Sequence, residues 1–332
     1  MTDAHPDDRH GLRDPQGRTL DYLRLSITER CDLKCSYCRA DGADVAAPDA
    51  MSLADIRAIG VAFARHLGFL KVRVTGGEPL LRADLPSIVR ALRADAGFER
   101  VALTTNGRLL AGTVRELAAA GLDQVNVSLD TLCEGAFREI RGVDAFGAVT
   151  RGIDAALDAG LRRVKVNVVL LRSFGFAEFD SFLAWGRGRP LEVRFLELMP
   201  IEGREEFHQR EHMSSEPLIQ RVVADGFEPA GRDGPGGPAV VYQRPGDPLR
   251  IGFVSPITRP FCAECNRLRV TSRGALKLCL FGSGFADLLP AARSGPEAVA
   301  EVVHRAVVLR EDGIRSQGRP IPCQAGLRGI GG

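Results

Sequence analysis

Leu23, Leu25 and Ile27 alternate with Tyr22, Arg24, Ser26 and Thr28 in the segment from Thr19 to Thr28, which is the period-two pattern of a strand. The pattern recurs in Leu70 to Thr75, Arg100 to Thr105, Gln124 to Asp130, Arg163 to Leu170 and Leu191 to Leu198. Helical stretches come between these segments. One follows Ser52, a suitable N-cap, and another stops at Gly121. Six strands separated by helices predict a parallel α/β sheet, either open or curled into a barrel.

The polar positions choose between those two. A parallel strand covered by helices on both faces reads as almost continuously apolar. Here Lys71, Arg73 and Thr75 share one face of their strand, as do Asn126, Ser128 and Asp130, Lys165 and Asn167, and Glu192 and Arg194. Burying so many charges against a dry helix layer would cost several kcal/mol for each unpaired ion (about that order). The charged face is therefore expected to line a wet, ligand-filled lumen. An incomplete (β/α)6 TIM-type barrel fits best, with a doubly wound sheet second. Residues 1–18 read as a flexible N-terminal segment, 19–230 as the partial barrel, and 231–332 as a C-terminal α+β extension closing its open side. The extension begins with the turn-rich GRDGPGGP and carries two hairpin-like regions and a helix near PEAVAEVVHRAVVLR.

Composition narrows the class. The chain has 332 residues, 45% hydrophobic and 26% charged, which is ordinary for a globular protein. Lys and Arg number 44 against 42 Asp and Glu, so no global basic field argues for nucleic acid. The first residues have no apolar stretch, and no later run approaches the roughly 20 apolar residues of a membrane span. A soluble cytoplasmic protein is expected. Eight cysteines are too few for a disulfide scaffold of this size, and their short spacings favour metal ligation.

Six of those cysteines form two groups of three. Cys31, Cys35 and Cys38 follow the first strand as C-x-x-x-C-x-x-C, and Cys262, Cys265 and Cys279 lie near the end. A structural metal normally takes four protein ligands, so groups that stop at three suggest a position left open for chemistry. Zinc or another structural metal remains the alternative for each group, with Cys323 or a histidine completing the second. At the second group, Arg267 and Arg269 stand two apart on a strand and so share a face, suited to phosphate or carboxylate oxygens.

The first spacing, with Tyr37 just before its third cysteine and TGGEP at Thr75 to Pro79, resembles the radical S-adenosylmethionine (SAM) enzymes. That resemblance implies a 4Fe-4S cluster on Cys31, Cys35 and Cys38 whose open iron chelates SAM. It assigns Tyr37, Gly76, Gly77, Glu78, Ser128 and Met199 to the SAM site. The second group with its arginines, together with DYLRLSITERCDLKCSYC, LTTNG, NVSLD, KVNVVL, VRFLELMP and the terminal IGG, resembles the GTP 3',8-cyclases of molybdenum cofactor biosynthesis. The likeness runs from about residue 14 to the end. It implies a second 4Fe-4S cluster on Cys262, Cys265 and Cys279 that binds the guanine of GTP. It also implies GTP contacts at Arg24, Arg73, Thr104, Lys165, Arg267 and Arg269, with Lys71 and Arg194 close by.

The resemblance further implies cyclisation of GTP by a 5'-deoxyadenosyl radical. A reductant such as flavodoxin or ferredoxin and cyclic pyranopterin monophosphate synthase are the implied partners. Oligomeric state stays open, a homodimer included. Two other functions compete: a twin-cluster radical SAM enzyme acting on a peptide, and a zinc-containing nucleotide-binding module. Arg39, Ala40 and Leu327 depart from the family pattern, where Met, Pro and Met are usual. Cys133 is expected to be buried, and Cys323 has no assigned role. Gly331 and Gly332 have no side-chain bulk and are suited to enter the cavity, as the tail of the family does. Removing them is expected to leave 5'-deoxyadenosine formation largely intact and to lower the yield of cyclised nucleotide. An unchanged yield would exclude the tail from the active site.

Overall fold

The computed structural model describes residues 11–38, 51–173, 175–232, 237–282 and 285–310. Arg39, Ala40, Cys323, Leu327, Gly331 and Gly332 lie outside the described residues. Two small strands, β1 (Leu12–Arg13) and β2 (Thr19–Leu20), pair antiparallel. Residues 11–18 therefore depart from the flexible segment expected there. Leu12 is buried among apolar residues, and Asp14 accepts hydrogen bonds from the backbone and side chain of Arg18.

The six alternating segments form the strands they predict. These are β3 (Tyr22–Ser26), β4 (Lys71–Thr75), β5 (Arg100–Thr105), β6 (Gln124–Ser128), β7 (Arg163–Leu170) and β8 (Leu191–Glu197). Each pairs in parallel with the next. Helices α1 (Leu53–Val61), α2 (Leu85–Arg90), α3 (Leu110–Ala119), α4 (Glu134–Arg141), α5 (Phe146–Asp158) and α6 (Gly175–Gly186) fill the crossovers. Ser52 caps α1 in a capping box with Asp55, so two backbone donors at that helix end are satisfied.

Beyond β8 come α7 (Glu205–Glu211) and α8 (Glu216–Ala224), then β9 (Glu228–Arg232), β10 (Val240–Gln243) and β11 (Arg250–Val254). The expected turn-rich link starts later than its composition suggests, because β9 runs through Gly231 and Arg232. The chain continues through β12 (Arg267–Val270), β13 (Ala275–Lys277), β14 (Ala286–Asp287), α9 (Leu289–Ser294) and α10 (Pro296–Val307). Both hairpins predicted there form, β10 with β11 and β12 with β13. Their second role was not visible in the sequence: β11 adds in parallel to β8, and β12 adds in parallel to β3. The two C-terminal hairpins thus border opposite edges of one mixed sheet.

Period two divides the strand residues as the alternation requires. Leu23, Leu25, Val72, Val74, Val101, Leu103, Val125 and Val127 are fully buried in the main apolar core with residues of the helices. The alternate positions form rows across the sheet. Arg269, Arg24 and Arg73 are register partners in one row, Thr104, Asn126, Lys165 and Glu192 in a second, and Ser128, Asn167 and Arg194 in a third.

Candidate active site

The loop carrying Cys31, Cys35 and Cys38 leaves the C-terminal end of β3, where parallel α/β sheets carry their functional loops. The end of α4 holds it in place. The Lys34 and Ser36 amides donate to the carbonyls of Arg141 (3.0 Å) and Ile140 (2.9 Å). Arg141 is buried, pairs with Asp130 at 2.8 Å and points Nη1 at Cys35 Sγ, 3.4 Å away. Tyr37 donates its hydroxyl to Asp130 at 2.9 Å. Burial works against the Arg141 charge, but Asp130, Tyr37 and Cys35 hold its pKa well above the usual arginine value. Burial also keeps Tyr37 a neutral phenol, with Asp130 pushing its pKa further up against the pull of Arg141.

Across from this loop lie Gly76 and Gly77. A Cβ on Gly76 would lie 2.6 Å from the Thr28 carbonyl oxygen, and one on Gly77 2.2 Å from that of Arg30. The glycines are therefore required by the backbone running into Cys31, in addition to leaving the cavity side open. Glu78 faces the other way. It accepts from the Leu80 and Asn106 amides and the Thr105 hydroxyl, at 2.9, 2.6 and 2.8 Å. Burial, with a contribution from Asp32, pushes its pKa up to about 7 against those three donors.

Cys31, Cys35 and Cys38 line a cavity with Tyr37, Gly76, Gly77, Ser128, Asp130, Arg141 and Met199. A second cavity is lined by Cys262, Cys265 and Cys279 together with Arg24, Lys71, Arg73, Arg194, Arg267 and Arg269. Thr104, Asn167, Leu196 and Met199 line both, so the two cavities adjoin. All but two of the predicted site residues fall on these walls. Glu78 is one exception, turned to backbone amides as described. Lys165 is the other, fully buried with Nζ 3.5 Å from Glu192, which also pairs with Arg194 and Arg250. Cys133, expected inside, is exposed, because it stands at the surface turn that caps α4.

The second cavity concentrates positive charge. Burial and the charges of Arg269, Arg73 and Arg267 hold Arg24 well below the usual arginine range, offset in part by Tyr22. Arg73 Nε donates to the Tyr22 hydroxyl at 2.6 Å, and the Lys71 ammonium sits 4.6 Å from the ring centre. Burial raises the Tyr22 pKa, but Arg73, Lys71 and Arg24 outweigh it and bring it down to about 6. Cys265 is also brought to about 6, since Arg267 and Arg310 outweigh the effect of its burial. Tyr22, Asp130, Arg141 and Arg310 were not singled out as site residues by the sequence reading, although Asp130 lies on a strand face it identified.

The donor sets fit iron–sulfur clusters. Three thiols border each cavity, the ligand type that such clusters take. The cavities also offer polar atoms to a ligand: Asn126 Oδ1 and Asn167 Oδ1 are buried without a hydrogen-bond partner, a state that costs on the order of 1–3 kcal/mol when left unmet.

Residues 25–186 match the family model of the Radical SAM superfamily, and residues 191–315 match that of Molybdenum Cofactor Synthesis C. A GTP 3',8-cyclase of Synechococcus elongatus is 43% identical, over 84% of this chain and 86% of its own. Another, of Cronobacter sakazakii, is 43% identical over 83% and 85%. The chain belongs to the GTP 3',8-cyclase family. It is a radical SAM enzyme, with SAM and 4Fe-4S clusters as cofactors. Among solved structures, Streptococcus suis SuiB bound to S-adenosylmethionine matches with a TM-score of 0.61 over 93% of this chain and 77% of that one. At 14% identity this is a likeness of fold. Among the described residues no helix is long and apolar enough to cross a membrane.

Replacing Gly77 by alanine should force the TGGEP turn away from the backbone of Glu29 and Arg30 and so distort the entry to Cys31. Iron bound after anaerobic reconstitution should fall towards half, with loss of 5'-deoxyadenosine formation. Native iron and native cleavage of SAM in this variant would show that the close approach is not needed.

Proposed function

We propose that the enzyme converts GTP and SAM to 3',8-cyclo-7,8-dihydroguanosine 5'-triphosphate, 5'-deoxyadenosine and methionine, the first step towards the molybdenum cofactor. The observation that carries the reading is the shared wall of the two cavities. One cavity has the thiols and glycines suited to cluster-bound SAM, and the adjoining one has thiols and a ring of arginines suited to a nucleoside triphosphate. When bound, the cluster and SAM, given one electron from the reductant, would supply the 5'-deoxyadenosyl radical that takes the C3' hydrogen of GTP, and joining C3' to C8 of the guanine would take up one further electron and a proton.

The residues of the chain bind, orient and exclude water. Cys31, Cys35 and Cys38 hold the first cluster, with Tyr37, Gly76, Gly77, Ser128 and Met199 around SAM. Cys262, Cys265 and Cys279 hold the second. Arg24, Lys71, Arg73, Thr104, Arg194, Arg267 and Arg269 take the nucleotide, whose triphosphate carries close to four negative charges and relieves the repulsion among the arginines. Glu78 and Lys165 act behind this layer, Glu78 by fixing the Thr105–Asn106 turn and Lys165 by neutralising Glu192 beside Arg194. A radical reacts with what it meets, so fixing both ligands across one wall matters more than acid strength.

In this reading β3 to β8 form an incomplete (β/α)6 barrel, and residues 231–332 close its open side. The attachment of β12 beside β3 and of β11 beside β8 supports that closure. The enzyme works in the cytoplasm, with a flavodoxin or ferredoxin as reductant, and passes its product to cyclic pyranopterin monophosphate synthase.

The test is an anaerobic assay of the iron-reconstituted protein with SAM, dithionite and GTP, read by mass spectrometry. Both 5'-deoxyadenosine and the cyclised nucleotide are expected. The first without the second would overturn the substrate, and neither, with about eight irons bound, would overturn the mechanism.

Tyr22 adds a pH dependence to substrate binding. With its pKa near 6, it is largely a phenolate in the free protein at neutral pH. A triphosphate beside it disfavours that negative charge and raises the pKa again, so binding takes up a proton. Affinity for GTP should therefore fall as pH rises above about 6. Calorimetry in buffers of different ionisation enthalpy should record the proton, and Tyr22→Phe should lose both effects. Proton uptake unchanged in that variant would move the effect to another group.

A further inference from the structure

Each three-cysteine group is accompanied by a buried arginine that is paired with a buried aspartate and has an N–H directed at one sulfur. At the first group this is Arg141 with Asp130. At the second it is Arg310, whose Nη2 lies 3.4 Å from Cys265 Sγ and whose Nη1 donates to Asp14. Arg310 is 4% exposed and Asp14 6%. The guanidinium of Arg310 also reaches three carbonyls, those of Leu278 (3.1 Å), Cys265 (3.1 Å) and Arg267 (3.3 Å). Asp14 is shared with Arg18, whose Nε lies 2.6 Å from it and whose Nη1 donates to the Cys262 carbonyl at 2.8 Å.

The three ligand-bearing segments are thus tied to one buried unit. Arg18 holds the backbone at Cys262, and Arg310 holds it at Cys265 and at Leu278, the neighbour of Cys279. The tie bridges large distances along the chain, since Arg310 and Asp14 are 296 positions apart. A planar guanidinium with five donors can meet several acceptors at once in a fixed geometry, which an ammonium cannot.

We infer that Arg310, positioned by Asp14 and Arg18, keeps the C-terminal thiol cradle in shape and raises the reduction potential of the cluster held there. The physical reason for the second effect is charge. Reduction adds an electron to an already anionic cluster, and a nearby buried cation with an N–H directed at a ligand sulfur favours the more negative state. This inference rests on the assignment of Cys262, Cys265 and Cys279 as cluster ligands.

The experiment uses full-length protein in which Cys31, Cys35 and Cys38 are replaced by alanine, so that the C-terminal cluster alone is read. Midpoint potentials are taken from redox titrations followed by electron paramagnetic resonance, and iron retention from a timed chelator challenge. Arg310→Met should lower the equilibrium constant for reduction about tenfold, which is about 59 mV for a one-electron couple. Arg310→Lys should recover most of that shift, because the charge remains, yet lose iron to chelator faster than native protein, because the fork over three carbonyls is gone. Arg141→Met, which changes the other arginine, should leave this midpoint unmoved. If Arg310→Met holds too little cluster to titrate, Asp14→Asn provides the test with the opposite sign, since removing the anion behind Arg310 should raise the midpoint. A midpoint indifferent to Arg310→Met, an equal shift from Arg141→Met, or a fall in Asp14→Asn would each overturn the inference. Absence of bound iron with Arg310 intact would instead overturn the ligand assignment on which it rests.

Discussion

Like charges gathered on one wall are the constraint around which this molecule is built. Register places Arg269, Arg24 and Arg73 in one row across three neighbouring strands, and burial with the charges of its neighbours holds Arg24 well below the usual arginine range. Two arginines of this wall find internal relief: Arg73 reaches the Tyr22 hydroxyl and the Leu103 carbonyl, and Arg267 is stabilised by Cys265. The opposite face of the same strands supplies the stability that such a wall lacks. Leu23, Leu25, Val72 and Val74 are fully buried there, each contributing about 1.5–3 kcal/mol relative to exposure. Period-two alternation is thus a division of labour within single strands, one face for folding and the other for a polyanion.

That division is why so much of the fold and site was legible in the sequence. Polar and charged residues at alternate strand positions can be seen without knowing the neighbours, and they marked the face that carries the arginine-lined cavity. Cysteine spacing is equally local. Arg141, Arg310, Asp14 and Arg18 were missed for the converse reason. Each is a single polar residue in a helix or turn, where a solvated side chain leaves the same local pattern. Their partners lie far along the chain, 106 positions from Arg141 to Cys35 and 244 from Arg18 to Cys262. The parallel attachment of β11 and β12 to opposite edges of the sheet escaped notice in the same way, since a hairpin announces its own turn and not the third strand beside it.

TGGEP is an intermediate case, and it separates composition from role. The sequence identified the right turn, and bulk at its two glycines is excluded, but the excluded space is occupied by the backbone of Thr28 to Arg30 on one side as well as lying beside a cavity on the other. Glu78 likewise belongs to the site without lining it. Its carboxylate gathers two amides and a hydroxyl, and so fixes Asn106, whose side chain reaches Asp32 one residue after Cys31. A motif can be diagnostic of a ligand while some of its residues serve the backbone that holds the ligand.

The wall common to both cavities places its own demand on the residues that form it. Thr104, Asn167, Leu196 and Met199 come from β5, from β7, from β8 and from the turn after β8. Two are polar and short, and two are apolar and flexible. A partition made only of charged side chains would pull water between the ligands and loosen the close, fixed approach that hydrogen transfer between them needs. A fully apolar one would leave sugar hydroxyls without partners. The mixed wall meets both requirements, with Asn167 Oδ1 buried and unpaired and Met199 able to fill irregular space beside either ligand. Because three of these residues sit on strands fixed by the core and Met199 follows two residues after one, the separation of the two cavities is set by the sheet itself rather than by loop closure.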